Sequence, residues 1–524
     1  MRLFLNHGPR RSLACASGVM LLLLAVGCPT SPPADPPKTP AAPPAEALFE
    51  GWDQPTAALV LTGDQHGYLE PCGCSEKQSG GFARRAAMFH ELRDSRKWNV
   101  VGLDVGGTLK DKRAQRTQSQ AKFAAILTGL NYMGYKALSV GLEELLFGST
   151  NLYASYLEME GHEGFDLNFV SANTTLFGTR EGMPPAEFRV IDSGNLKIGV
   201  TSVISPIVQQ ELDIAGITRD PAEVLISPID ETLPPVIEQM QAAGAELLVL
   251  LVHGNIKEAE ELARKYPQFQ VVATARSAED PLKNTRHVGE TLFCEVGQKG
   301  KNAAVVGIYK TDSGLTLKHE LVELSRDNFP NHPSMTRLMQ EYQDRLKAEK
   351  TAILGESIPD PELGKFVGVD QCKDCHTFAY SVWKDSKHAH AYESLIKGRE
   401  KYDGEWVSRI YDPECLCCHT TGWEPQAALR FASGFVDMES TPNLVGQQCE
   451  NCHGAGGKHV EAELRLKDAG GSPDDETKKL RDALKLNLVK AKESVCVRCH
   501  DYENSPNFKF EERWPKVNHS GKKN

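Results

Sequence analysis

Residues 372–376 read Cys-Lys-Asp-Cys-His, and the same Cys-x-x-Cys-His pattern returns at residues 415–419, 449–453 and 496–500. Two thiols three residues apart, with an imidazole directly after the second, match a haem: the thiols add to its two vinyl groups and the histidine binds the iron. Four such motifs lie within 129 residues, which chance does not explain. The sequence therefore predicts four covalently bound haem c groups in the C-terminal third of the chain.

Twelve residues form these predicted attachment sites. The cysteines are Cys372, Cys375, Cys415, Cys418, Cys449, Cys452, Cys496 and Cys499, and the proximal iron ligands are His376, His419, His453 and His500. Zinc is the alternative, since two Cys-x-x-Cys pairs can form a tetrahedral zinc site. The histidine after every pair and the predicted export of the chain favour haem. Cys417, inside the second motif, is expected to be a bystander.

Four further histidines follow residue 366 and are candidates for the distal iron ligands: His388, His390, His459 and His519. We expect His459 and His519 to bind iron. His388 and His390 point to opposite sides of their segment, so only one of them can readily serve, and we favour His388. Three distal ligands cannot serve four irons, so one iron is predicted to be five-coordinate. Four haems in so short a region must lie close together, which indicates electron transfer.

Residues 366–519 resemble the cytochrome c-554 family, on the strength of "CKDCH", "WKDSKHAHAY", "CHTTGW" and "CENCHGAGGKH". The resemblance implies a mainly helical, periplasmic electron carrier whose haems stack in pairs. It also implies three irons bound by two histidines each and one five-coordinate iron. A redox protein is the expected partner, and the resemblance does not identify it.

The N-terminus predicts export and lipid anchoring. Arginines in the first 11 residues precede an apolar run over 12–27, as in a signal peptide, and residues 25–28 (Ala-Val-Gly-Cys) resemble a lipobox with Ala25 in place of the usual leucine. Cys28 would then be lipidated and the Pro-rich segment 28–50 would tether the protein to a membrane, facing the periplasm or the cell surface. Cleavage as an ordinary secreted protein, with a disordered tail, is the alternative.

Length and charge limit the remaining possibilities. A chain of 524 residues is too long for one core, and we expect an α/β domain over 51–330, a helical linker over 331–365 and a haem domain over 366–524. The net charge of −11 argues against a nucleic-acid partner. No apolar run after residue 30 is long enough to span a membrane.

Residues 57–325 alternate apolar, strand-like runs with helical stretches such as 82–97 and 117–134, which predicts a layered α/β domain. The stretch "LVLTGDQHGYLEPCGC" resembles the start of 5′-nucleotidase-type metallophosphoesterases, as do "LNFVSANTT" and "ELLVLLVHG". The resemblance implies a four-layer α/β/β/α sandwich in which Asp64, His66 and His253 would be metal ligands.

Several metal ligands of that family are missing. Its bridging aspartate falls at Gly107 and its Asn-His pair at Leu142-Glu143, and residues 273–277 hold no histidine. Asp64, His66 and His253 remain, with Asp104 and Glu143 expected nearby. This set predicts at most one divalent ion and no dinuclear hydrolase.

Cys72 and Cys74 follow Asp64 and His66 closely in the sequence, and two interpretations of this pair of cysteines are open. An exported protein oxidises its thiols, so a structural disulfide involving Cys294 is one. A soft-metal or redox site with His66 is the other.

Three functions stay open at this stage. The first is an electron-transfer lipoprotein whose α/β domain docks or senses. The second is an oxidoreductase that acts on a small substrate at an open haem or at the Cys72/Cys74 site. The third is a metal-dependent phosphoesterase with an attached cytochrome.

Replacing Cys28 by serine is expected to release the protein from membranes, because the thiol is the predicted lipid attachment point. Fractionation of cells that express the wild type and Cys28→Ser measures this directly. Cys15→Ser, which alters a cysteine inside the apolar run, is the matched control and should stay in the membrane fraction. A Cys28→Ser protein that also stays there would contradict lipid anchoring.

Overall fold

The structure is a computed structural model that describes residues 47–71, 78–110, 116–398 and 405–520. The predicted signal peptide, Cys28, nearly all of the tether, Cys72 and Cys74 lie outside these ranges. No helix within them is long and apolar enough to cross a membrane.

The strands fall into two large sheets and two small ones. They are β1 Ala57–Thr62, β2 Val100–Asp104, β3 Tyr135–Ser139, β4 Asn168–Val170, β5 Thr174–Leu176, β6 Arg189–Ser193, β7 Leu196–Ile204, β8 Val224–Ile226, β9 Leu247–His253, β10 Val271–Thr274, β11 Arg286–Val288, β12 Thr291–Glu295, β13 Asn302–Thr311, β14 Gly314–Glu323, β15 Ser357–Ile358, β16 Trp423–Glu424 and β17 Leu429–Phe431.

Helices alternate with strands in the first part of the chain and dominate the last. They are α1 Phe82–His90, α2 Arg116–Met133, α3 Leu142–Phe147, α4 Ser149–Glu160, α5 Pro206–Ala215, α6 Ile229–Ala242, α7 Ile256–Lys265, α8 Pro333–Ala348, α9 Thr351–Leu354, α10 Thr377–Lys384, α11 Ala391–Lys397, α12 Pro413–His419, α13 Cys449–His453, α14 Gly457–Ala469, α15 Asp475–Ala483, α16 Leu488–Lys490 and α17 Phe510–Arg513.

Both large sheets have six strands with a parallel centre. The first has the order β14-β13-β1-β2-β3-β4 and is parallel from β1 to β4. The second has the order β11-β12-β10-β9-β7-β6 and is parallel from β12 to β7. Parallel strands need crossover connections, and the helices between them provide these.

Side chains of the central strands alternate between two cores, which fixes the order of the layers. Ala58 and Val60 of β1 pack towards helices, whereas Leu59 and Leu61 pack between the sheets. In the second sheet, alternate residues of β9 pack between the sheets and against helices α6 and α7. Helix, sheet, sheet and helix layers therefore follow one another, which confirms the predicted α/β/β/α sandwich.

The predicted helical linker over 331–365 contains α8. Its apolar side packs into the helical layer of the sandwich, with Met335, Leu338 and Tyr342 buried there. His332 caps it by accepting a hydrogen bond from the Ser334 backbone N–H. Gln343 is also buried, so α8 does more than connect two regions: it forms part of the sandwich.

The region after residue 366 is mainly helical, as predicted. Its strands β16 and β17 are short, and β17 also pairs with β15, which precedes this region in the chain. Its apolar core is small, built around residues such as Leu416, Trp423 and Phe435. Much of the centre of this region is a cavity.

Candidate functional site

Each Cys-x-x-Cys-His motif forms one helical turn. The backbone N–H of the histidine donates to the carbonyl oxygen of the first cysteine over 2.9 Å in the first motif (His376 to Cys372) and in the fourth (His500 to Cys496). The second motif lies on α12 and the third is α13. Residues three and four apart share a helix face, so both thiols and the imidazole of a motif face the same side.

All four motifs surround one cavity of about 1880 Å³, which is lined by all four motif histidines and by every haem-attachment cysteine except Cys415. A pocket for one drug-sized ligand is about 300–1,000 Å³, so this cavity has room for several large groups. His388, His459 and His519 also line it.

Three motif histidines each face one of the predicted distal histidines across this cavity. The ring centroids of His376 and His459 are 6.4 Å apart, those of His453 and His519 5.8 Å, and those of His500 and His388 6.2 Å. Two metal–imidazole bonds plus the two ring radii add up to about 6 Å. The spacing of all three pairs therefore fits one iron held between two imidazoles.

In three of these six rings the Nδ1 atom lies within hydrogen-bond distance of a neighbouring oxygen. His453 Nδ1 donates to the Leu484 carbonyl over 2.7 Å, His519 Nδ1 to the Val517 carbonyl over 2.9 Å, and His500 Nδ1 lies 3.0 Å from Ser505 Oγ. A ring that donates through Nδ1 keeps Nε2 unprotonated and available to a metal. Sequence reasoning missed these orienting groups, because a backbone carbonyl leaves no signal in the sequence.

Burial keeps several of these imidazoles neutral. It lowers the pKa of His388, His453 and His500 below the ordinary histidine value. Neutral imidazole is the form that binds metals, so the cavity favours ligation over protonation.

His419 and His390 stand apart from the three pairs. His419 Nδ1 donates to the Ala391 carbonyl over 2.7 Å, and within the described residues no second histidine ring stacks opposite His419. His390 is exposed and its Nδ1 lies 2.9 Å from Glu393 Oε1. Of the two neighbouring candidates, His388 is the one placed opposite a motif histidine.

The motifs also contact one another in pairs. Cys372 of the first motif lies next to Cys449 of the third, and this neighbour together with burial raises the pKa of Cys372. Cys418 of the second motif and Cys499 of the fourth are likewise neighbours. Groups attached to the paired motifs would lie next to each other.

The predicted ligands of a divalent ion, Asp64, His66 and His253, lie at the carboxyl ends of β1 and β9 in the sandwich. Asp64 and His66 lie in the left-handed backbone region, at φ 44° and 49°, and His66 Nε2 is 3.8 Å from Asp64 Oδ1. The second carboxylate oxygen of Asp64 accepts the Arg276 backbone N–H over 2.5 Å. His253 is fully buried, and its Nδ1 donates to the Val105 carbonyl over 3.0 Å.

His253 faces a carboxylate where the family has a histidine. Its Nε2 lies 3.5 Å from Glu143 Oε2. Burial lowers the pKa of His253, but Glu143 outweighs burial and raises it to about 9. A metal ion at His253 Nε2 would have to displace this proton and compete with the ion pair to Glu143.

Two other acidic side chains near His253 accept hydrogen bonds from the sandwich itself. Asp104 accepts hydrogen bonds from Thr62 Oγ1 over 2.6 Å and from the Gly106 N–H over 3.0 Å. Glu144 accepts from the backbone of Gly107 and Thr108. Across the ranges that the structure covers, no group of three or more His, Cys, Asp or Glu side chains could hold a metal ion. One divalent ion at Asp64, His66 and His253 stays a sequence-based prediction.

Cys294 lies in the core between the two sheets as a fully buried free cysteine. Burial raises the pKa of its thiol. Its predicted partners Cys72 and Cys74 lie outside the described residues, so both interpretations of that pair stay predictions.

Comparison with known proteins separates the two parts of the chain. Residues 371–454 match the family model described as cytochrome c554 and c-prime. Over 149 residues the chain is 28% identical to cytochrome c-554 of Nitrosomonas europaea, which covers 27% of the chain and 60% of that relative. The chain thus spans less than two thirds of the relative.

The chain is also similar to solved structures. A 5′-nucleotidase precursor from Thermus thermophilus has a TM-score of 0.47 at 17% identity, and the match covers 82% of this chain and 96% of that structure. The sulfate thiohydrolase SoxB of Thermus thermophilus has a TM-score of 0.46 at 15% identity, and the match covers 64% and 68%. The chain combines a region that matches the cytochrome c554 family model with the four-layer sandwich described above.

The full-length protein is expected not to hydrolyse phosphate esters at enzymatic rates, because a two-metal site needs a bridging carboxylate that Gly107 cannot supply. The assay adds Mn²⁺, Mg²⁺ or Zn²⁺ and follows nucleoside monophosphates and a chromogenic phosphodiester. Turnover that disappears in Asp64→Ala or His253→Ala would contradict this expectation.

Gly107→Asp, which introduces the missing bridging carboxylate, is the matched variant. We expect that it does not restore hydrolysis. Gly107 has φ +74°, and a Cβ there would lie 2.6 Å from Asp64 Oδ1. The left-handed backbone alone costs a non-glycine residue about 1–2 kcal/mol, which should appear as a lower free energy of unfolding.

Proposed function

We propose that this protein is a tetrahaem electron carrier, anchored by a lipid on Cys28 and facing the periplasm or the cell surface. The match of residues 371–454 to the cytochrome c554 family supports a multihaem c-type cytochrome. The observation that carries the proposal is the spacing of three histidine pairs around one cavity lined by four attachment motifs.

In this proposal the cysteines of each motif form the thioether bonds, and six imidazoles hold three irons. The pairs are His376 with His459, His453 with His519, and His500 with His388. Haem iron, when bound, alternates between the ferric and ferrous states and so passes one electron at a time.

The chain's own residues make this transfer easy in two ways. Paired imidazoles keep the same ligands in both oxidation states, so little has to move when an electron passes. The contacts of the first motif with the third, and of the second with the fourth, place neighbouring groups close together. Both features suit a carrier that exchanges electrons with a redox protein partner, and the net charge of −11 argues against nucleic acid.

A second candidate function rests on His419. Since no described histidine stands opposite it, an iron bound there would keep one position open to a small ligand. The protein would then be an oxidoreductase acting at this iron. A high-spin signal that responds to small ligands such as cyanide or nitric oxide would favour this function over simple electron transfer.

Denatured protein extracted with acid and acetone is expected to retain four haems by mass, because thioether bonds survive this treatment. Replacing both cysteines of one motif, as in Cys496→Ser with Cys499→Ser, should reduce the number to three. Replacing Cys417 by serine is the matched control and should leave four haems. Loss of all haem on extraction, or zinc in its place, would contradict the proposal.

Replacing His388, His459 or His519 by alanine is expected to convert one low-spin iron to high spin in each case, because each variant loses one sixth ligand. His390→Ala is the control and should leave the electron paramagnetic resonance spectrum unchanged. The wild type should already show one high-spin iron, at His419. A wild-type spectrum with four low-spin irons would mean that His390 or a non-histidine group also binds iron.

A further inference from the structure

Two lysines of the sandwich meet one glutamate beside the second motif. Lys110 Nζ lies 3.0 Å from Glu414 Oε2, and Lys122 Nζ lies 2.6 Å from Glu414 Oε1. Lys110 follows β2, Lys122 is on α2, and Glu414 stands on α12 directly before Cys415. We call these three residues the lysine–glutamate cluster. Its side chains are only 15%, 7% and 15% exposed, so solvent screens their charges weakly.

Neighbouring hydrogen bonds fasten the start of α12 to the sandwich as well. Asp412 caps this helix by accepting the Glu414 backbone N–H over 3.0 Å. The Asp412 carboxylate also accepts from Gln118 Nε2 over 2.6 Å and from Gln343 Nε2 over 3.1 Å. The helix that ends in His419 therefore begins in a network supplied by α2 and α8.

The cluster also touches the loop that carries Asp64 and His66. A Cβ built on Gly67 would lie 3.3 Å from both Lys110 Cγ and Lys122 Cδ. Nearby, Arg409 pairs with Glu70 over 2.7 Å, and Tyr68 donates to Glu503 over 3.1 Å. The edge of the sandwich that corresponds to the hydrolase site is thus packed against the second and fourth motifs.

Glu414 is ionised in this setting. Burial raises the pKa of its carboxyl, but the two lysines outweigh burial and lower it to about 2. Two cations and one anion are therefore held at a fixed place next to a predicted haem attachment residue. In a weakly screened site, fixed charges act strongly on a group that gains or loses an electron.

We propose that Lys110 and Lys122 are positioning residues that tune the reduction potential of the haem on the second motif. Their positive charges stabilise the reduced state, and through Glu414 they hold the helix that presents His419. The sandwich then has a role in the redox function that does not depend on hydrolysis. This inference rests on the proposed haem attachment at Cys415 and Cys418.

The direction of the shift in reduction potential distinguishes an electrostatic role of these residues from a merely structural one. Lys122→Met removes a cation and should shift the potential of this haem to more negative values. Glu414→Gln removes an anion at nearly constant shape and should shift the potential to more positive values. A contact that only held the helix in place would give shifts in the same direction for both variants, because both would loosen it.

The experiment uses full-length, haem-loaded protein and a redox titration followed by electron paramagnetic resonance at the high-spin signal. Lys110→Met repeats the cation loss at the more exposed lysine, in case Lys122→Met does not fold. Lys122→Arg keeps the charge and should titrate close to the wild type. Lys318→Met is the control for the loss of a lysine in general. Lys318 lies on β14 and donates to the Gly51 carbonyl, and its replacement should not change the titration.

Peptide mass over residues 413–419 first establishes whether haem is attached there. Its absence would overturn the proposed function and this inference together. Haem that is present but titrates at the wild-type potential in both the lysine variants and Glu414→Gln would overturn the inference alone. Shifts of opposite sign, confined to the high-spin signal, are the expected result.

Discussion

In the proposed haem protein, the C-terminal region depends on one constraint: two imidazoles that share an iron must stand a fixed distance apart. Three pairs of rings keep to it, with centroids 5.8–6.4 Å apart. The members of each pair come from distant parts of the sequence, so the backbone must fold to bring them together. The small apolar core around Trp423 would not fix such positions alone. In the proposed haem-loaded protein, bonds between histidine and iron would therefore stabilise the fold of this region, as apolar packing stabilises the sandwich.

Sequence reasoning is most informative where the structure is local. A Cys-x-x-Cys-His turn contains its whole geometry, and the central strands of the sandwich are recognisable as apolar runs, as at Leu247–His253. The structure places His388 opposite His500 and leaves His390 exposed, and iron binding by His388 stays a prediction. Which motif histidine each distal ring would face could not be predicted, because that depends on how α14 and the chain end fold back over the cavity.

The layers and strand order of the sandwich are complete, but a fold alone does not establish an activity. His253 pairs with Glu143, and Glu144 accepts the Gly107 backbone N–H. Glu143 was visible in the sequence as a departure from the pattern of the 5′-nucleotidase resemblance. Its ion pair with His253 needed the structure.

The contacts between the sandwich and the second motif give the sandwich a part in the proposed redox function. Buried ion pairs add little net stability, because desolvation cancels much of their attraction. Their value lies in holding charge at a defined place, and Lys110, Lys122 and Glu414 do this beside Cys415. Nothing in the sequence marked the two lysines, since lysine is common and their partner lies about 300 residues away in the chain. In this proposal the sandwich acts on electron transfer through the charges that it fixes near the haem of the second motif.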